Sequence, residues 1–221
     1  MLRRCFLKLA AFISSVFALD ANAAASVPSD EKTMERLWHK YRQWLGVHFK
    51  EGIDALNVGA SEEQLSQLEA SIGKKLPNDY RDWLKIHNGQ ADDSVGLLYS
   101  NEFLSTSRLV SEWQVMNQLL DDGKFSHTSE SEPADAIKPD WWNNNWLPIS
   151  SDGNGNLVCI DLSPGAKGTL GQIIDFDHET VHRTLLAKSF REYISNYLHD
   201  LESERYSYSD DYGALVPYND L

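Results

Sequence analysis

The order of apolar patterns along the 221 residues predicts an α+β fold: N-terminal helices, an antiparallel β-meander, and a closing C-terminal helix. Three observations carry this expectation. Apolar residues recur at spacings of three and four through residues 34–86 and again through 109–120. Short apolar runs at 146–150, 157–162 and 170–176 are separated by turn-forming residues. A capped segment with helical spacing then returns at 189–201.

Taken in order, Ser29 or Asp30 can cap a helix whose inward positions are Met34, Leu37, Trp38, Tyr41 and Leu45. A shorter apolar set, Phe49, Ile53 and Leu56, leads to Gly59. Ser61 and Gln64 form a capping box for the next helix, in which Leu65, Leu68 and Ile72 share a face and Gly73 supplies the stop. Pro77 restarts a helix through Tyr80, Trp83, Leu84 and Ile86, ended by Asn88-Gly89. Residues 96–99 read as a short strand, and Leu109, Trp113, Met116, Leu119 and Leu120 as a helix ending near Gly123. The polar, acidic stretch 121–140 reads as a loop. Asp152, Gly153, Asn154, Gly155 and Asn156 tolerate positive φ and join the first two meander strands. Ser189 and Glu192 make a second capping box for the last helix, and the acidic, tyrosine-rich residues 204–221 read as a poorly ordered tail.

Charge and cysteine content narrow the function. Thirty-three acidic against 20 basic residues give a net charge of −13, which disfavours nucleic acid, because phosphate binding needs a basic stripe. Two cysteines, Cys5 and Cys159, exclude a disulfide framework and a Cys-rich zinc site. Cys159 lies in the apolar run 157–160 and reads as a buried small residue.

Residues 1–23 carry the pattern of a cleavable export signal: Arg3 and Arg4, an apolar run from Phe6 to Leu19, and Ala21-Asn22-Ala23 before the cut. Arg3-Arg4-Cys5-Phe6-Leu7-Lys8 resembles a twin-arginine signal, with Leu2 where that pattern usually has Ser or Thr. A periplasmic or secreted protein follows as the expectation, cytoplasmic being the alternative. No stable membrane anchor remains after cleavage.

Motifs for chemistry are few. His178-Glu179-Thr180-Val181-His182 matches the zinc-peptidase string, with Glu202 or Glu204 as a third ligand. That chemistry needs both histidines one helical turn apart, yet the helix caps lie after the motif and Thr180-Val181 favour a strand. The reading is a hairpin with no metal and no catalytic residue. Asp152, Asn154 and Asn156 start like a calcium loop, but Leu157 and Ser163 stand where Gly and Glu are required. For binding a protein partner, the candidates are Asp121, Asp122, Glu130, Glu132 and Asp135, whose charges would steer a basic surface, together with Trp141 and Trp142.

An ordered series of segments resembles the SUKH superfamily of syntrophic immunity proteins and Smi/Knr-type cell-wall assembly regulators. The series runs through Trp38–Leu45, Gly59–Ser61, Leu68-Glu69, Ile72–Tyr80, Ile86–Gln90, Trp146–Ile149, Asp152–Asn156, Asp161–Pro164, Gly171–Ile174 and Ala187–Phe190. It places a SUKH-like domain over residues 30–203. The resemblance implies a domain that binds proteins, catalyses nothing and needs no cofactor. Gly89 and the Asp152–Asn156 turn would shape the backbone, and Asp161 would anchor the turn after it. Joined to the export signal, it makes a periplasmic immunity protein against a toxin or effector the leading expectation. An envelope or cell-wall assembly scaffold or regulator is the alternative, and a zinc peptidase the enzyme-class rival.

Overall fold

The computed structural model describes residues 30–92, 94–125, 127–209 and 214–218; the export signal expected at 1–23 lies outside them. Helices α1 (Asp30–His48), α2 (Glu51–Asp54), α3 (Glu62–Ile72) and α4 (Asn78–Ile86) come first. They are followed by β1 (Glu102–Phe103), α5 (Thr106–Asp121) and β2 (Glu130–Glu132). Strands β3 (Trp146–Ser151), β4 (Leu157–Asp161), β5 (Gln172–Phe176) and β6 (His182–Ala187) form the meander, before α6 (Phe190–Glu202) and a hairpin of β7 (Tyr206–Ser209) and β8 (Ala214–Pro217). The class is the α+β fold that the apolar patterns predict.

The main sheet has the order β1-β3-β4-β5-β6-β2, antiparallel except for the β2–β6 pair. Every residue of β3 and β4 is buried, because both faces of the sheet are covered. Val158 and Ile160 face a core shared with α1, α4 and α6, while Leu157 and Cys159 face a second core holding Met116, Ile137, Trp142, Trp146, Ile174 and Phe176. Burial pushes the Cys159 thiol well above its ordinary range, so it packs as the small apolar residue its run predicts.

Local chemistry sets the helix ends. Ser61 accepts from the Gln64 N–H and Gln64 returns the bond to the Ser61 N–H, completing the expected box. Gly73 closes α3 in the left-handed conformation (φ 67°), and Pro77 stands at the N-cap of α4. Ser189 caps α6 through the Glu192 N–H, but the Glu192 carboxylate reaches past it to the N–H of Lys188, so this box differs from the expected one.

Three expected segments differ. Residues 96–99 are not a strand: Leu98 and Asn101 close a tight turn through Tyr99 (φ 48°) and Ser100 (φ 69°). Buried Gln90 explains why, since its Oε1 accepts from Leu97 N–H (3.0 Å) and Phe103 N–H (2.8 Å), occupying donors a neighbouring strand would need. The stretch 121–140 contains β2, which runs parallel to β6 with Glu130 opposite His182. Strand β7 pairs antiparallel with β8, within the residues 204–221 that were expected to form a poorly ordered tail. Its tyrosines pay the entropy of ordering by packing: Phe49 stacks on Tyr208 at 4.1 Å, Tyr206 meets Tyr99, and Leu215 is buried.

Glu69, 7% exposed on α3, makes a pH-dependent contribution. Burial alone would raise its carboxyl, but the Lys75 ammonium (2.6 Å), the Leu76 N–H (3.2 Å) and nearby Arg81 outweigh this and hold it below its ordinary value. A carboxylate depressed in the folded state stabilises above its unfolded value of about 4.3, and that stability is lost as pH falls through the folded value. Urea unfolding at pH 7 and pH 3 is therefore expected to separate wild type from Glu69→Gln at pH 7, with the gap narrowing at pH 3.

Candidate protein-interaction surface

The segment joining α5 to β3 covers the second sheet face, and Trp142 pins it there. Its ring meets Trp146 (5.8 Å) and Phe176 (5.3 Å) edge to face, and its Nε1 donates to Asn117 Oδ1 at 2.9 Å. At 2% exposure Trp142 has no face to offer a partner, which corrects its assignment as a contact residue: an indole this large is better satisfied in the core. Trp141 is half-buried. It lies over the guanidinium of Arg183, 4.8 Å from the ring centroid, with Phe176 at 4.4 Å on the same guanidinium.

Arg183, fully buried, is the residue sequence reasoning missed. Its Nη1 donates to the carbonyls of Asp177, Thr180 and His182, and its Nη2 to that of Trp141. Burial lowers its pKa, with Asp175 and Asp177 opposing, and it shapes the β5–β6 turn from inside. The Arg-Thr pair after His182 carries no pattern that distinguishes it from a surface arginine.

The acidic candidates are all exposed but fall into two groups. Glu130 and Glu132 project from the edge strand β2, and Asp135 sits in the following turn with φ 64°, paired to Lys167 at 3.0 Å. Asp121 and Asp122 stand at the end of α5, where Gln118 donates to Asp122. The first group is held firmly. Glu130 N–H donates to Val181 O at 2.8 Å, and Gln172 Nε2 bridges the Ala136 carbonyl (2.8 Å) to the Asp161 carboxylate (3.0 Å). Asp161 itself is fully buried, accepts from Ser163 N–H at 2.9 Å, and is raised by burial against these bonds.

The histidine motif takes the hairpin form. His178 bonds Asn156 Oδ1 through its N–H and ring nitrogen, whereas His182 lies 3.6 Å from Glu130 at the start of β6. Glu179 N–H donates to Asp177, so the three residues serve different neighbours rather than one ion. Among the described residues, no three His, Cys, Asp or Glu side chains are grouped to hold a metal. In the calcium-like turn, Asp152 Oδ1 accepts from Asn154 and Asn156 N–H, and its Oδ2 accepts from Asn156 Nδ2, with Gly153 (φ 76°) and Gly155 (φ 110°) completing the bend. Both carboxylate oxygens are spent on the turn itself. Among the described residues no helix is long and apolar enough to cross a membrane.

Comparison with known proteins adds the family. Residues 59–196 match the model of the SMI1 / KNR4 family (SUKH-1). The chain is 27% identical over 213 residues to the glucan synthesis regulatory protein of Neurospora crassa, covering 80% of this chain and 40% of that protein. It is 24% identical over 210 residues to the cell wall biosynthesis/cell cycle regulator smi1 of Schizosaccharomyces pombe, covering 89% and 41%. It is 30% identical over 82 residues to the cell wall assembly regulator SMI1 of Saccharomyces cerevisiae, covering 37% and 16%. The chain thus spans about two fifths of the length of the two longer-matching relatives. These relatives overturn the periplasmic or secreted location expected from residues 1–23: they are fungal proteins named as regulators of glucan synthesis, cell wall and cell cycle. With the ordered series of motifs, the α+β architecture and a match across most of its length, this chain belongs to the SMI1/KNR4 (SUKH-1) family.

Proposed function

We propose that this chain is a non-catalytic binding module that regulates cell-wall synthesis by engaging a basic protein partner at the acidic edge of β2. The observation that carries the reading is the family match over residues 59–196, with similar proteins named as regulators of glucan synthesis and cell-wall assembly. Glu130, Glu132 and Asp135 supply the surface. They are exposed, of one sign, and fixed by the β2–β6 ladder and the Asp161–Gln172–Ala136 bridge, so binding orders little new backbone. Such an edge steers a basic partner and sets its register. Neutralisation of a periplasmic effector loses its support along with that location, and the regulator reading takes its place.

The test is genetic and physical. Deletion of the gene in its native host is expected to raise sensitivity to wall-perturbing agents in monoculture. The wild-type gene restores resistance, and the Glu130→Lys/Glu132→Lys variant does not. On purified protein the double variant unfolds at the wild-type temperature, because both side chains are exposed, while affinity for the partner falls about tenfold, or about 1.4 kcal/mol. A deletion strain that suffers only beside a competitor would overturn the regulator reading. Full rescue by the double variant would overturn the acidic edge.

A further inference from the structure

The outer face of α5 changes character along its length. Exposed Glu62 on α3 is held by the half-buried Arg81 and Lys85 of α4. The first turns of α5 follow suit, with Arg108 between Glu102 and Glu112. From Trp113 onward the pattern changes. Trp113, Gln114, Asn117, Gln118 and Asp121 recur at helical spacing and, with Leu120 and Asn144, line a groove of about 540 Å³. That volume lies within the range of small-ligand sites, about 300–1,000 Å³. No lysine or arginine lines it.

The lining has a specific chemistry. Trp113 Nε1 donates to Asn144 O at 2.9 Å, which fixes the indole as part of the groove wall. Asn117 spends its Oδ1 on Trp142, leaving its amide hydrogens for another acceptor. Gln118 spends its Nε2 on Asp122, leaving its Oε1. Asn144 accepts from Asn145, leaving its own amide hydrogens. Gln114 and the Asp121 carboxylate add further exposed donors and acceptors. Carboxamides present donor and acceptor together, which suits a hydroxyl that does both. A carboxylate accepts from two adjacent hydroxyls, and an indole face attracts the polarised C–H bonds on one side of a pyranose ring. A single anion and no cation in the wall disfavour phosphorylated, sulfated or uronic sugars.

We propose that this groove binds a neutral hexose oligosaccharide, with Trp113 as the stacking platform and Gln114, Asn117, Gln118, Asp121 and Asn144 reading the hydroxyls. The inference does not rest on the regulator reading, since it uses neither Glu130, Glu132 nor Asp135, and each fails by its own experiment.

The test is a nitrogen–proton NMR titration of the full chain with laminarihexaose, and in parallel arms with cellohexaose and hexa-N-acetylchitohexaose. The expected result is a saturable shift of the Trp113 indole N–H and of the Gln114, Asn117, Gln118 and Asn144 side-chain amides with at least one of the two unsubstituted glucans. The arms distinguish a β-1,3 from a β-1,4 source. The exposed substitutions Gln114→Ala and Asp121→Ala, combined, are expected to weaken the shift at least tenfold with an unchanged unfolding temperature. No shift up to about 10 mM sugar, which bounds the affinity near the millimolar limit, would overturn the proposal. So would shifts centred outside the groove, a response to the chitin oligomer alone, or undiminished binding by the double variant.

Discussion

Trp38→Ala is expected to cost about 3–5 kcal/mol, a large part of the roughly 5–15 kcal/mol that holds an ordinary domain together. Trp38 is 1% exposed and lies at the junction of α1 and α4. Its ring stacks on Trp83 at 3.7 Å and 17°, meets His87 at 4.7 Å edge to face, and touches Tyr41 and Phe103. Its Nε1 also donates to the Trp83 carbonyl at 3.1 Å. Alanine removes the stack and leaves a cavity between helices that are tied at several other points and so close over it poorly. Trp38→Phe separates the terms: it keeps most of the packing, loses the hydrogen bond, and is expected to cost about 1 kcal/mol more than its lost area explains. Urea unfolding with a shared m-value measures both. A loss below about 1 kcal/mol for the alanine variant would mean that the α1–α4 junction collapses freely over the missing ring.

Gly89→Ala is expected to cost about 3 kcal/mol or more, whereas Gly73→Ala costs about 1 kcal/mol. Both glycines are left-handed, at φ 70° and 67°. They differ in what a Cβ would meet. At Gly73 there is nothing within 4 Å. At Gly89 the added carbon falls 2.3 Å from Ser105 N and 2.6 Å from Leu104 C, backbone atoms at the start of α5 that cannot rotate away. That start is itself fixed, because Asn88 accepts from Thr106 N–H at 2.8 Å and donates to its hydroxyl. Relief requires moving α5 from the 88–90 segment, so the variant is also expected to lose protection of the Thr106 amide in hydrogen exchange. Equal costs for the two alanines would show that only backbone strain matters at Gly89.

The pair also marks how far sequence reasoning reaches. Both glycines are legible as turn positions after a periodic helix. Only Gly89 is a close-approach site, and that depends on a backbone sixteen residues away. The candidate surface divides in the same manner. The acidic residues are plain in the sequence, but their division into a β2 edge and a helix end is not, and the burial of Trp142 is not. In the histidine motif, the β-branched Thr180-Val181 and the later cap at Ser189 were enough to predict a turn and strand in place of a zinc helix, which is what the geometry has.

What the sequence by itself determined is the set of features whose chemistry closes within a few residues. The Ser61–Gln64 box, the Gly73 stop, the Asp152 turn and the apolar faces of α1, α3, α4, α5 and α6 belong here, and with them the α+β class. Only the tertiary structure decided the parallel pairing of β2 with a strand some fifty residues later, the role of Gln90 as a substitute for strand partners, the burial of Arg183, and the pairing of β7 with β8. Each of these depends on desolvation and on partners supplied by distant segments. A glutamine amide, a guanidinium or a tyrosine-rich stretch reads as solvent-facing until the fold surrounds it with carbonyls, N–H groups and rings.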